Sequence, residues 1–183
     1  MTRSVAVARA SEYFDSGAFL ADLARRVAFR TESGLADRHP DLFAYLEQEM
    51  VPAAQRLGAS ARVLDNPAAG GGPLLIAVRH EGAGLPTVLT YGHADVVPAE
   101  PWRWRSGLDP WQGTRPDLLP NLGGSLPNDV FTDVLGLPAI WIPHSYPGCA
   151  QHAPDEHLLA PLARQALRLM AALFWDLGDH HGS

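Results

Sequence analysis

One cysteine, Cys149, stands in a chain of 183 residues. A lone thiol excludes an internal disulfide framework and fits a reducing compartment. Basic charge is also scarce: 14 Lys and Arg face 20 Asp and Glu, for a net charge of −6. That balance gives no electrostatic footprint for nucleic acid. Long apolar runs are absent as well, and the longest fall well short of a membrane span. The N-terminal stretch carries small apolar residues but is broken by Arg9, too soon for a secretory h-region. The expectation is a cytoplasmic protein with neither a nucleic-acid nor a membrane partner. What is present is ordinary: 46% hydrophobic and 19% charged residues, enough for one domain with a core.

Apolar periodicity predicts a helix from Ser11 to Glu32, with Phe19, Leu20, Leu23, Val27 and Phe29 on its apolar side. Arg25, Arg26 and Arg30 fall among its polar positions. A second helix is expected from Asp41 to Leu57, started by Pro40, ended by Gly58 and kinked near Pro52. Short strands are expected at Ala61–Leu64, Leu74–Arg79, Thr87–Tyr91 and Ala139–Ile142, the last two buried. Residues 97–121 show no periodicity and hold five prolines, which predicts a long irregular loop. Helices are expected again at Pro127–Leu135 and Asp155–Leu177, before a frayed tail. In the last helix, Leu158, Leu162, Leu169, Leu173 and either Trp175 or Leu177 are placed inward. The fold class is α/β: helices packed on a mixed, largely parallel sheet. Ligands of such sheets sit beyond the carboxyl ends of strands, where His93 and His144 fall.

The richest chemistry lies in Tyr91-Gly92-His93-Ala94-Asp95-Val96-Val97-Pro98. Residues i and i+2 of a strand share a face, so Asp95 can orient a metal-ligating His93. His152 with Asp155 and Glu156 forms a second cluster. Asp155 and Glu156 alone read more simply as acids in the first turn of a helix, and His157 as a helix-surface residue. Gly123-Gly124-Ser125 is either an anion cradle or, more simply, a turn with Ser125 capping a helix. Ser125, Ser145 and Cys149 are nucleophile types, but none sits in a Gly-x-Ser-x-Gly elbow. The tryptophans read as packing, and His180 and His181 as tail residues.

Together these residues resemble the M20 family of zinc metallopeptidases and amidohydrolases, the carboxypeptidase, dipeptidase and acylase group. The His93–Asp95 run, followed by Trp102 and Asp109-Pro110-Trp111, is similar to that family's first metal motif and the loop after it. Gly123-Gly124-Ser125-Leu126-Pro127 resembles the substrate-binding turn of the dipeptidase branch. His152-Ala153-Pro154-Asp155-Glu156 is similar to its closing ligand motif, with Asp155 where Asn is usual. The resemblance implies zinc as cofactor, His93 and His152 as ligands of two zinc ions, and Asp95 as the acid that orients the first. It implies Gly124 and Ser125 as holders of a small peptide or amide substrate.

The likeness runs as two blocks, about 13–111 and 114–183. Between them the family carries a zinc-bridging Asp, a Glu-Glu pair with the general base, a further acidic ligand and a lid domain. Here Gln112-Gly113 leads straight to Thr114-Arg115-Pro116-Asp117, and no general base is found. Asp109, Asp117, Asp129 or Glu156 are substitutes that no spacing singles out. The resemblance therefore implies one incomplete catalytic domain: an N-terminal block, 1–112, and a C-terminal block, 113–183, without the lid. Zinc binding is expected to be weak and peptide or amide hydrolysis impaired or absent. The alternatives are a non-catalytic remnant, or a small module whose exposed apolar surface drives self-association.

Overall fold

Thr2 accepts the Val5 amide at its side-chain oxygen and so starts helix α1, Arg3–Asp15. In the computed structural model, which describes residues 1–112, 129–140, 142, 146 and 148–179, this helix lies against the long C-terminal helix α5, Ala160–Asp179. Ion pairs mark both ends of the pair: Arg3 with Asp176 at 2.7 Å, and Arg164 with Asp15 at 2.7 Å. The start of each helix thus meets the end of the other, so the two run antiparallel. Small residues line the α5 side, where Ala163, Ala166 and Ala172 are buried.

The expected helix Ser11–Glu32 is two helices. α1 closes at Asp15 and α2, Ala18–Val27, follows. Gly17 sits between them at φ 82°, a left-handed conformation that glycine adopts without a Cβ clash. The second expected helix is close to its predicted span but contains a widened turn. α3, His39–Tyr45, passes through a π-helical turn, Leu46–Met50, into α4, Val51–Arg56. Val51 donates its amide to the Leu46 carbonyl, five residues back. Pro52 has no N–H for the regular ladder and its ring displaces the preceding turn, which the wider turn accommodates. Leu42 and Leu46 are buried on this segment, and the Glu49 carboxylate beside them is held by Arg25 at 2.6 Å.

Strands β1, Ser60–Leu64, and β2, Leu74–Val78, form an antiparallel pair in the register Ser60↔Val78 to Leu64↔Leu74. Asn66 shapes the connection by donating to the Gly72 carbonyl at 3.0 Å and accepting the Ala68 amide at 2.9 Å. A side chain at Gly71 would collide with Asn66, so this turn needs a glycine.

The mixture of helices and sheet is as expected, but the largely parallel sheet is not formed among the described residues. The sheet there has two strands, paired antiparallel, and Glu32↔Val96 is an isolated parallel bridge. Thr87–Tyr91 makes no ladder, and Val88 and Leu89 are exposed. Ala139 and Ile140 are likewise unpaired and exposed. β-branched composition suits a buried strand, but an edge to pair with decides whether one forms. Pro127–Leu135 contributes a π-helical turn, Val130–Val134, in its described part. α5 begins five residues later than expected, and Leu169 on it is exposed rather than inward. No helix among the described residues is long and apolar enough to cross a membrane.

Candidate active-site cleft

The chain after α2 turns back on itself and becomes a scaffold for the first histidine. Val96 donates its amide to the Thr31 carbonyl at 2.9 Å. The buried Glu32 carboxylate accepts the Ala99 amide at 2.8 Å. Ser33 donates its hydroxyl to Asp95 at 2.5 Å. Three consecutive residues thus fix the run 95–99 that begins beside His93.

His93 Nδ1 stands 2.9 Å from the Asp95 carbonyl oxygen and 3.2 Å from its carboxylate. Both partners only accept, so Nδ1 carries the proton and Nε2 of the neutral ring is the lone-pair nitrogen. Asp95 therefore contacts His93 through both its carbonyl and its carboxylate, on a loop rather than the expected strand. The contact comes from the chain folding over within two residues rather than from side-chain alternation.

The second histidine lies on a loop just before α5. Ala150, His152 and Asp155 all take left-handed backbone angles there, at φ 56°, 62° and 63°. Such angles cost non-glycine residues of the order of 1 kcal/mol each and persist only where other contacts hold them. Asp155 supplies such contacts: it accepts the Arg105 backbone amide at 3.0 Å and the Arg105 side chain at 2.9 Å. His157 donates its amide to the Cys149 carbonyl at 3.0 Å, closing the loop. Its imidazole contacts the Tyr146 hydroxyl and the Asp155 carbonyl, so it is tied into the loop rather than lying on a helix surface. Asp155 and Glu156 precede the helix, so neither is in its first turn.

His93 and His152 line one cleft, which encloses about 840 Å³ of empty space with the open solvent at its mouth included. Its walls are mostly apolar and aromatic, with Phe29, Tyr45, Trp104 and Trp111 among them. Glu156 also lines it. Burial pushes the Glu156 carboxyl up to about 7, and a contact from the His152 backbone amide lowers it again only in part. One of its oxygens is buried without a hydrogen-bond partner among the described residues. Burial also raises the Tyr45 phenol.

Comparison with known proteins returns nothing: no family model, curated protein or solved structure matches the chain. The geometry is therefore the ground for a functional reading.

Zinc chemistry asks for about three protein ligands and an open position. Among the described residues, no group of three His, Cys, Asp or Glu side chains is placed to hold a metal ion. The donor set within the described residues thus falls short of a catalytic zinc. Of the substitutes, Asp109 spends its carboxylate on its own turn, accepting the Trp111 amide at 2.8 Å, and Asp129 is exposed. Gly124, Ser125, Asp117, His144 and Ser145 lie outside the described residues. Cys149 is buried.

Sequence reasoning missed several groups around the cleft. Thr31, Glu32 and Ser33 carry no motif; their role comes from meeting residues more than 60 positions away. Arg26 lines the cleft as well, although its place in the helix pattern suggested a solvated face.

Proposed function

We propose that this chain is an incomplete M20-like catalytic domain, without the lid, whose hydrolysis of peptide or amide bonds is impaired. One observation carries the reading: His93 and His152, far apart in sequence, line a single cleft. The bond from His93 to Asp95 supports it further, because it leaves a lone pair on Nε2. In this reading His93 and His152 are metal-binding residues and Asp95 is the group that orients His93. Zinc is the cofactor by lineage, bound weakly, with no three-ligand group among the described residues. A small peptide or amide is the substrate class, with Gly124 and Ser125 as its contacts, and the cytoplasm is the compartment.

The test is hydrolysis of dipeptides by the purified protein with added zinc. Slow turnover that disappears in both His93→Ala and His152→Ala is the expected result. Equal rates in wild type and His93→Ala end the catalytic claim.

A second reading is a non-catalytic remnant that self-associates. It draws on the lack of a three-ligand cluster among the described residues, and on exposed apolar side chains such as Ile76, Val78 and Leu89. Calorimetric titration with zinc separates the two: two tight sites argue against the remnant. A clean monomer in sedimentation argues against self-association.

A further inference from the structure

The cleft contains a cation that the metal reading does not use. Arg26, near the end of α2, lines the cleft, and its Nε is buried without a hydrogen-bond acceptor among the described residues. Glu49 stands 3.9 Å from that Nε, beyond hydrogen-bond reach, and its other oxygen already accepts from Arg25 at 2.6 Å. Glu100 also lines the cleft, but its carboxylate is paired with Arg103 at 2.5 Å. Glu156 lines the cleft without forming an ion pair with Arg26. A guanidinium offers five donors in a planar fork that matches a carboxylate. A carboxylate that meets this guanidinium within the apolar cleft gains a charge-assisted bond.

The walls around this cation are apolar. Phe29 and Tyr45 pack edge to face at 5.6 Å, and both line the cleft together with Trp104 and Trp111. Arg30 lies over Trp111 at 5.7 Å and adds positive charge near that wall. A few convergent polar groups within an apolar, aromatic cleft is the usual makeup of a small-molecule site.

We propose that Arg26 is the carboxylate anchor of this cleft, and that the cleft takes a small monocarboxylic acid with an aromatic or aliphatic body. The carboxylate pairs with the Arg26 guanidinium while the apolar body packs among Phe29, Tyr45 and the two tryptophans. The inference rests on the cleft and not on zinc or on hydrolysis.

The experiment is calorimetric titration of the full chain in chelator, with 3-phenylpropanoate, 3-phenylpropanamide and acetate as probes. The acid binds, and the amide and acetate bind at least about tenfold more weakly, one lacking the charge and the other the apolar body. Arg26→Gln weakens the acid by about tenfold and leaves the amide unchanged, while Arg26→Lys falls between. Arg62→Gln, at an exposed position of β1, leaves all three unchanged. Equal binding of acid and amide, unchanged acid binding in a folded Arg26→Gln, or no binding of the acid to wild type below about 10 mM overturns the proposal. If the Arg26 variants do not fold, the acid-versus-amide comparison on wild type decides alone. Because zinc is absent throughout, loss of hydrolysis in the earlier test and loss of acid binding here are separate outcomes.

Discussion

The two walls of the cleft hold their histidines by different means. His93 lies beside a run clamped by a backbone bond to Thr31, a buried carboxylate from Glu32 and the Ser33 hydroxyl on Asp95. His152 sits on a short loop with three left-handed residues, held to its surroundings by an ion pair whose arginine side chain is 65% exposed. The first wall rests mainly on the buried Thr31 and Glu32, whereas the ion pair that holds the second leaves its arginine open to water. The first histidine is thus fixed in tautomer and position, whereas the second depends on a strained loop. A metal or ligand that needs both must spend binding energy on the second wall.

Four measurements sharpen or break this contrast. The largest effect is expected from Glu32→Ala, which leaves the Ala99 amide unpaired and takes from Arg38 the buried one of its three acidic neighbours, 3.6 Å away. Urea unfolding should show a loss of about 3 kcal/mol. A loss below about 1 kcal/mol means that the clamp is not what holds the first wall.

Next comes the pH dependence of Glu156. Its folded pKa, about 7, lies above its ordinary 4.5, so the folded chain keeps the proton longer. Below pH 4.5 the group is protonated folded or unfolded, and the advantage of the folded form is fully present. Stability then falls as pH rises through about 7. After discounting for partial solvent access, the swing is of the order of 1–2 kcal/mol. Glu156→Gln should flatten the profile in this window. Asp22, lowered mainly by the Tyr13 hydroxyl, and Asp15, lowered mainly by Arg164, act below their ordinary 3.8 and leave the window clear. An identical slope in wild type and variant removes Glu156 as the buried acid of this wall.

Asp155→Ala on the second wall should cost about 1 kcal/mol by the same unfolding measurement, since its partner is exposed. A cost equal to that of Glu32→Ala erases the contrast. The smallest effect is a gain: Ala150→Gly, at φ 56°, should stabilise by about 0.5–1 kcal/mol, seen as a higher Tm. No gain places the strain of this loop elsewhere.

Local structure was legible where the chain carries its own punctuation. Pro40 and Gly58 bracket α3 to α4, and Asn66 with its glycines marks the β1–β2 turn. The break at Gly17 was equally local, and reading one long helix through it gave apolar spacing too much weight against a residue free to turn. Thr87–Tyr91 and Ala139–Ile142 failed for another reason. Their residues suit a buried strand, but pairing depends on a neighbouring edge, which composition does not encode. In the cleft, the contact of Asp95 with His93 is local, the two lying two positions apart. The clamp from Thr31, Glu32 and Ser33 was not legible, nor was the turning of Arg26 into the cleft, since each depends on segments distant in sequence.

By itself the sequence determined the helix-forming stretches, the tight turns, the acidic balance and the identity of the two histidines with their nearby acids. These follow from backbone preference and side-chain chemistry within a few residues. Tertiary structure alone decided that His93 and His152 share a cleft, that Glu156 is half-buried there and that Arg26 lines it. Burial and long-range pairing arise when distant segments exclude water from one another, and that exclusion turns a surface arginine and an ordinary carboxyl into parts of one site.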